Sequence, residues 1–158
     1  MKIALLSDSH GGLDRLEAAL SNLANSEITN VFHAGDFLAD SVSEIFAKFP
    51  DLKIFIARGN CDVGEEEWEK VQQLPNVVAE DLIEAEIARK KIVMSHQPLT
   101  PPPCDFYFFG HTHRPEIYRE GSIWKINPGA LFESGIYAIV NLENAEVKPQ
   151  RFDKAIGS

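Results

Sequence analysis

Gly110-His111-Thr112-His113 is the stretch that decides how this chain is interpreted, because four other short stretches supply side chains of the same chemical kind. They are Asp8-Ser9-His10, Gly35-Asp36, Gly59-Asn60-Cys61-Asp62 and Ser95-His96. Each ends or follows an apolar run that is typical of a β-strand, and loops at strand ends are where a rigid scaffold usually places ligating side chains. The five stretches therefore predict one site built at the ends of several strands.

Histidine and aspartate in this mixture favour divalent metal ions of intermediate softness. The seven candidate ligands are too many for one tetrahedral ion and fit two ions that share a ligand. They are Asp8, His10, Asp36, Asn60, His96, His111 and His113. Asp36 is the natural bridge, because a carboxylate has two oxygens to share. Asp8 and His10 stand at positions i and i+2, so in an extended segment they point to the same side and reach one ion together.

The first third of the chain predicts parallel strands joined by helices. Short apolar runs at 2–7, 31–34 and 54–57 are typical of buried strands. Between them, apolar residues recur at helical spacing over 13–23 and 42–49. This β-α-β-α-β order implies parallel strands with right-handed crossovers.

From residue 77 onward, strands follow one another without long helices. We expect strands at about 77–87, 91–95, 105–109, 116–119, 122–126 and 136–140, with a last pair reaching 152. Tight turns at 88–90 and 120–121 predict a second sheet that is mostly antiparallel. The acidic run 65–69 predicts a short helix at most. With no linker or repeat, we expect one domain over residues 1–158.

Composition excludes several classes of partner. The chain has 158 residues, 15 basic against 24 acidic, and a formal charge of −9. That balance argues against non-specific binding to nucleic acid or anionic membranes, which depends on lysine and arginine. Two cysteines form no disulfide framework, and the apolar run 3–6 is too short for a signal-peptide core. We therefore expect a soluble, cytoplasmic protein.

The five blocks, D-x-H, G-D, G-N-[HC]-[DE], a lone histidine and G-H-x-H, span residues 8 to 113 in register. In this order they resemble the calcineurin-like metallophosphoesterase superfamily. The short length and the Gly59-Asn60-Cys61-Asp62 block are most similar to its small phosphodiesterase branch, whose relatives include the small retromer subunit. The resemblance implies an α/β fold, a two-sheet αββα sandwich.

The resemblance also implies roles for the candidate ligands. One ion would be held by Asp8, His10, Asp36 and His113, and the other by Asp36, Asn60, His96 and His111. Asp36, Asn60 and His96 would be the catalytic residues, and Asn60 would also donate to a phosphoryl oxygen. A hydroxide bridging the two ions would attack phosphorus. Mixed oxygen and imidazole ligands suit manganese, which we favour, or iron, zinc, cobalt and nickel.

Other polar residues near these blocks have two interpretations each. Arg58 and Arg114 flank ligand blocks and are candidates for substrate phosphate binding, although solvated arginines fit equally well. His33 matches no ligand block, so a core role or a role behind the ligands is favoured. Cys61 stands where many members of the family carry a histidine that serves as general acid or contacts substrate.

The segment between His96 and His111 departs from the family pattern. Relatives usually fit a helix there, whereas Thr100-Pro101-Pro102-Pro103 favours an extended loop. The absence of that helix predicts either a more open site or apolar surface near 106–109 that a second subunit covers. A homo-oligomer is therefore one expectation.

The interpretation we favour is a dinuclear metal-dependent phosphodiesterase. One alternative is a non-catalytic interaction scaffold, as the retromer subunit is, although such a scaffold is free to lose ligands and this chain keeps all seven. A phosphomonoesterase or nucleotide pyrophosphohydrolase is the other alternative, and Cys61 argues against it.

Overall fold

The structure is a computed structural model that describes residues 1–157, and in this range four helices accompany two β-sheets. The helices are α1 (Leu13–Ala24), α2 (Val42–Ala47), α3 (Glu65–Gln72) and α4 (Leu131–Ser134). The strands are β1 (Lys2–Leu6), β2 (Asn30–His33), β3 (Lys53–Ala57), β4 (Val77–Glu80), β5 (Ile83–Ile87), β6 (Lys90–Met94), β7 (Phe106–Phe108), β8 (Glu116–Glu120), β9 (Ile123–Asn127), β10 (Ile136–Asn141) and β11 (Val147–Arg151).

The first sheet has the strand order β11-β10-β1-β2-β3-β4. Strands β1 to β4 pair in parallel, whereas β10 and β11 add an antiparallel edge. The predicted β-α-β-α-β unit is therefore confirmed. Because neighbouring parallel strands end at the same side, the loops that follow β1, β2 and β3 meet at one edge of the sheet.

All four helices pack on one face of this first sheet. Leu16, Ala19, Leu20 and Leu23 of α1 are buried at helical spacing, and they join one apolar cluster with buried side chains of the other three helices. The same cluster contains Ala4 and Leu6, whereas Ile3 and Leu5 face the other way. Side chains alternate across a strand, so β1 contributes buried side chains to both faces of its sheet.

The second sheet has the order β5-β6-β7-β9-β8 and packs on the free face of the first. Phe32 and Phe55 of the first sheet stack at 4.6 Å between ring centroids, and Phe108 of the second meets Phe32 edge-on at 5.4 Å. This sandwich of two sheets confirms the predicted mixed α/β class, with the helical layer of residues 1–157 on the first sheet only.

The pairing in the second sheet differs from the expectation of a mostly antiparallel sheet. β6–β7 and β7–β9 are parallel, whereas β5–β6 and β8–β9 are antiparallel. The parallel pairs arise because the segment 95–105 crosses back from β6 to the start of β7. The β8–β9 hairpin then returns with β9 beside β7 and β8 at the edge.

The single strand predicted over 77–87 is wrong. The chain bends at 81–82, so β4 joins the first sheet and β5 the second. Val77 and Ala79 are buried beneath the helices, while Ile83 is buried between the sheets. The predicted turn at 88–90 is confirmed: Ala88 and Arg89 have φ of 53° and 64°, as a two-residue hairpin turn of type I′ requires.

A proline-bearing loop lies where relatives were expected to carry a helix. The described residues 95–105 contain no helix, which confirms the prediction from the prolines. The Tyr107 hydroxyl contacts Ser95 Oγ at 2.5 Å and accepts from the Leu99 amide at 3.0 Å. Phe106, Phe108 and Phe109, like Tyr107, are buried. Our expectation of exposed apolar surface at 106–109 is therefore wrong, because the chain's own packing covers it.

The helices are short. The longest, α1, has 12 residues, and no helix within residues 1–157 is both long and apolar enough to cross a membrane.

Candidate metal centre

The structure brings all seven predicted ligands to one end of the sandwich. Asp8, Asp36 and Asn60 follow β1, β2 and β3 of the first sheet. The remaining four are His10, which lies in the loop after β1, and His96, His111 and His113, which follow β6 and β7 of the second sheet. The site therefore lies at the end of the sandwich where these strands of both sheets finish.

Asp8, His10 and His113 form the first group. The Oδ1 atom of the buried Asp8 lies 3.2 Å from His113 Nε2 and 3.7 Å from His10 Nε2. The other oxygen of Asp8 accepts from Ser7 Oγ at 2.5 Å and from the His111 amide at 3.2 Å. Within the described part of the chain, Asp8 Oδ1 and His10 Nε2 are buried without a hydrogen-bond partner. Buried polar atoms without a partner are costly, so these two atoms fit a bound cation.

His96 forms the second group with Asp36, Asn60 and His111. His96 Nε2 lies 3.1 Å from Asp36 Oδ2, and His111 Nδ1 lies 3.2 Å from Asn60 Oδ1 and 3.3 Å from His96 Nε2. Burial would lower the pKa of His96, but its hydrogen bonds to Asp36 and to the Ala34 carbonyl outweigh burial and raise it. Burial likewise would raise the pKa of Asp36, whereas His96 and the Cys61 amide lower it to about 2.

The proton positions on two histidines explain why a cation fits. His96 Nδ1 lies 2.8 Å from the Ala34 carbonyl oxygen, so in the neutral ring Nδ1 carries the proton. His96 Nε2 then faces a carboxylate oxygen with a lone pair. His113 has the same arrangement, because Nδ1 lies 2.8 Å from Glu133 Oε1 while Nε2 faces Asp8. Two acceptors at about 3 Å repel unless a proton or a metal ion lies between them.

Asp36 lies between the two groups. Its Oδ2 atom is 3.1 Å from His96 Nε2 and 3.9 Å from His10 Nε2. Its other oxygen accepts from the Cys61 amide at 2.9 Å. Three sets of residues in the described range have ligand atoms within 4.8 Å of one another: Asp8-His10-His113, Asp8-Asp36-His96 and His10-Asp36-Cys61. Asp8, His10 and Asp36 each belong to two of these sets, and Asp36 Oδ2 is the carboxylate oxygen that lies near a histidine of each group.

The backbone at the site is unusual. Five predicted ligands have left-handed φ values between 45° and 69°, namely Asp8, His10, Asp36, His111 and His113. Our expectation that Asp8 and His10 share a side because the segment is extended is therefore wrong, although both side chains do converge. Hydrogen bonds from the Asp8 amide to the Gly35 carbonyl, 2.9 Å, and from the His10 amide to the Asp36 carbonyl, 2.7 Å, hold the segment. Such conformations cost of order 1–3 kcal/mol each and cluster at functional sites.

Two glycines provide space beside the carboxylates. A Cβ atom at position 59 would lie 2.2 Å from Asp36 Oδ1, and one at position 110 would lie 2.0 Å from Ser7 Oγ. Neither Gly59 nor Gly110 has a positive φ, so the requirement is close approach rather than backbone freedom.

Asp62 supports the site from behind, a role that the sequence did not reveal. Its buried carboxylate accepts four backbone N–H groups, from Asp36, Phe37, Leu38 and Gly59, at 2.7–2.9 Å. Asp62 therefore ties the loop after β2 to the loop after β3. The available signal was its place as the last residue of the Gly59-Asn60-Cys61-Asp62 block.

Helix α4 contributes two further residues that the sequence did not indicate. Glu133 contacts His113, and the Phe132 ring meets His10 edge-on at 4.4 Å and His113 at 5.5 Å between centroids. The buried Asn127, which precedes this helix, donates to the Gly110 carbonyl at 3.1 Å and to Thr112 Oγ1 at 3.0 Å.

The remaining candidates lie around the site. Arg58 donates to the Asp62 carbonyl at 2.9 Å, pairs with Glu65 and covers the Trp68 ring at 4.7 Å. The Arg114 side chain is exposed and makes no ion pair within residues 1–157.

His33 is buried and lies 2.9 Å from Ser9 Oγ, so it packs behind the loop that carries Asp8 and His10. Burial lowers the pKa of His33 to about 3, with a smaller contribution from His96 in the same direction.

Known proteins match this chain in sequence and in fold. The family model of the calcineurin-like phosphoesterase superfamily domain matches residues 1–145. Phosphodiesterase MJ0936 of Methanocaldococcus jannaschii is 28% identical over 141 residues, which cover 82% of this chain and 83% of that protein. The structure of an archaeal phosphodiesterase has a TM-score of 0.80 at 26% identity and covers 96% of this chain and 99% of its own.

The fold is also shared with a more distant protein. A single-mutant Vps29 from Entamoeba histolytica has a TM-score of 0.65 at 17% identity and covers 96% of this chain and 98% of its own. The match of the family model over residues 1–145 shows that the chain belongs to the calcineurin-like phosphoesterase superfamily.

Proposed function

We propose that this chain is a dinuclear metal-dependent phosphodiesterase. The observation that carries the proposal is the pair of contacts in which a histidine Nε2 faces a carboxylate oxygen, His96 to Asp36 at 3.1 Å and His113 to Asp8 at 3.2 Å. Each contact requires a proton or a metal ion between its two atoms, and we propose metal ions because Asp8 Oδ1 and His10 Nε2 are also buried without a hydrogen-bond partner in the described residues. The 28% identity to a named phosphodiesterase supports the reaction class.

The proposed ligand assignment is the one that the family resemblance implies. One ion would be held by Asp8, His10, Asp36 and His113, and the other by Asp36, Asn60, His96 and His111. When bound, such ions would lower the pKa of water and neutralise charge on the phosphoryl oxygens. Oxygen and imidazole donors in this mixture favour manganese, with iron, zinc, cobalt and nickel as alternatives.

The chain's own groups would orient the substrate. Asn60 is exposed, and its Oδ1 faces His111. Its amide nitrogen donates to Cys61 Sγ at 3.6 Å and has a second N–H that can donate to a phosphoryl oxygen. Arg114 follows His113 in the chain, is exposed and makes no ion pair within residues 1–157, so of the two candidate arginines it is the freer to contact substrate phosphate. Arg58 would have to leave Glu65 and Trp68 to do so.

Cys61 favours diesters with good leaving groups. The Cys61 side chain is exposed at the site, and its Sγ atom lies within 4.8 Å of a ligand atom of His10 and of one of Asp36. A thiol, with a reference pKa near 8.5, is a weaker acid than imidazolium near 6.5. This position therefore supplies little protonation to a departing alkoxide, and monoesterase or pyrophosphohydrolase activity is the less favoured alternative.

A non-catalytic scaffold is the proposal from another class, because Vps29 shares the fold. A scaffold would not require seven candidate ligands to converge, and it would not require left-handed backbone at five of them. A cytoplasmic location and a homo-oligomer stay predictions from the sequence.

The test is a hydrolysis panel on protein stripped with chelator and reloaded separately with each of the five metals. Turnover of bis(p-nitrophenyl) phosphate well above that of p-nitrophenyl phosphate is expected. Asp8→Asn should abolish it, whereas Asp51→Asn, at an exposed position, should not. Metal binding without turnover of any ester would favour the scaffold, and faster monoester turnover would overturn the diesterase assignment.

A further inference from the structure

Helix α4 is fixed to the loop that carries Asp8. The Leu131 amide donates to the Ser7 carbonyl at 2.9 Å, and the Phe132 amide donates to the Asp8 carbonyl at 3.2 Å. Arg15 Nη1 donates to the carbonyl oxygens of the same two helix residues at 3.2 and 3.0 Å. Backbone bonds therefore set the position of Glu133, the next residue, relative to Asp8.

We propose that Glu133 is a positioning residue for His113, an inference that rests on the proposed metal centre. Its Oε1 atom lies 2.8 Å from His113 Nδ1, where a carboxylate can only accept, so it holds the proton on Nδ1. His113 Nε2 is then left with its lone pair directed at the space beside Asp8 Oδ1, 3.2 Å away. A partner of this kind fixes the tautomer and orientation of a ligating histidine and raises its basicity.

Phe132 restricts the same ring from another side. Its ring meets His113 edge-on at 5.5 Å and His10 at 4.4 Å between centroids. Consecutive residues of α4 thus contact the His113 ring, Phe132 through its aromatic ring and Glu133 at Nδ1. With these two sides occupied, Nε2 is the part of the ring left to face Asp8.

The simpler alternative is an exposed ion pair with no effect on the site. The Glu133 side chain is 52% exposed, and exposed pairs usually contribute little to stability. A pair of that kind would leave metal affinity and the proton position on His113 unchanged when Glu133 is replaced. A positioning residue would change both, so the two alternatives are separable.

The experiment compares the wild-type chain with Glu133→Ala, Glu133→Gln and the control Glu27→Gln, which removes an exposed carboxylate away from the site. Titration calorimetry with Mn²⁺ on chelator-treated protein measures affinity. ¹⁵N spectra of the histidine rings, metal-free at alkaline pH and with Zn²⁺, report which nitrogen of His113 carries the proton.

We expect Glu133→Ala to weaken Mn²⁺ binding by about 10- to 100-fold and to mix the two tautomers of His113. Glu133→Gln should recover much of the affinity, because its amide oxygen still accepts from Nδ1, and Glu27→Gln should match the wild type. Unchanged affinity together with an unchanged ¹⁵N pattern in Glu133→Ala would overturn the proposal.

The two proposals fail in different ways. If the wild-type chain binds no Mn²⁺, the proposed metal centre fails. The ¹⁵N spectra of the metal-free protein then still decide whether Glu133 sets the proton position on His113: a shift in Glu133→Ala supports the positioning role, and no shift overturns it.

Discussion

His96 Nε2 lies 3.1 Å from Asp36 Oδ2, while Nδ1 of the same ring lies 2.8 Å from the carbonyl oxygen of Ala34. The carbonyl oxygen can only accept, so Nδ1 carries the proton of the neutral ring and the Nε2 lone pair faces the carboxylate. A second proton or a metal ion between Nε2 and Oδ2 would relieve the repulsion between these two atoms. This relationship joins β6 of the second sheet to the loop after β2 of the first. It therefore links the packing of the sandwich to the chemistry of the site.

Asp62→Asn should destabilise the chain and abolish activity. Each Asp62 oxygen accepts two of the four buried N–H groups, and an amide nitrogen cannot accept, so two donors are left without their partner. We expect the free energy of unfolding to fall by at least about 2 kcal/mol in urea denaturation.

Asp51→Asn, at an exposed position, is the matched control and should change stability by less than about 0.5 kcal/mol. If Asp62→Asn has an equally small effect, the carboxylate does not organise the two loops.

His33 should make the metal-free protein less stable in acid. Burial, aided by His96, lowers its pKa from 6.5 to about 3, so between these values the unfolded chain binds the extra proton. The contribution of neutral His33 to the free energy of unfolding is therefore fully present above about pH 6.5. It is lost as the pH falls toward 3, at up to about 1.4 kcal/mol per pH unit.

The measurement is urea unfolding of wild type and His33→Asn with chelator at pH 7, 6 and 5. Asparagine retains an acceptor for the Gly35 amide, which His33 Nδ1 accepts at 3.1 Å. The stability advantage of the wild type should shrink as the pH is lowered. A constant difference across the three pH values would show that His33 titrates alike in both states.

Cys61→His should raise the turnover of alkyl esters far more than that of nitrophenyl esters. Breaking the P–O bond puts charge on the leaving oxygen, and a general acid is typically worth about 10²–10⁴ in rate when that oxygen is basic. The side chain at position 61 is exposed at the site, whereas Cys104 packs against the outer face of the second sheet.

Steady-state rates on a series of diesters give the slope of log rate against leaving-group pKa. The slope should become shallower in Cys61→His and stay unchanged in Cys104→Ala. Equal slopes for the native chain and Cys61→His would show that position 61 does not govern departure of the leaving group.

Local patterns predicted the parts of the fold that depend on local physics. The parallel unit β1-α1-β2-α2-β3 follows from apolar runs and helical spacing, and the prolines at 101–103 correctly predicted a loop without helix. The sequence did not predict the division of 77–87 into β4 and β5, because both halves are apolar enough for one strand and only packing separates them.

The sequence predicted which side chains converge but not what supports them. The five blocks named the seven candidate ligands, yet the left-handed backbone at Asp8 and His10 is imposed by hydrogen bonds to Gly35 and Asp36. Glu133 lies on a helix of four residues after a segment without a recognisable pattern. Its contact with His113 exists only once β1, β7 and α4 have packed, so no local signal could indicate it.

The most direct test of the account is the metal stoichiometry of the wild-type chain and of Asp36→Ala. Asp36 is the carboxylate that reaches both groups, at 3.1 Å from His96 and 3.9 Å from His10. Equilibrium dialysis against Mn²⁺ followed by elemental analysis should give two ions per wild-type chain and two for the control Asp51→Ala. Asp36→Ala should retain neither ion and hydrolyse no diester. A wild-type chain that saturates with one ion, or an Asp36→Ala chain that keeps two ions and the full rate, would contradict the shared dinuclear centre.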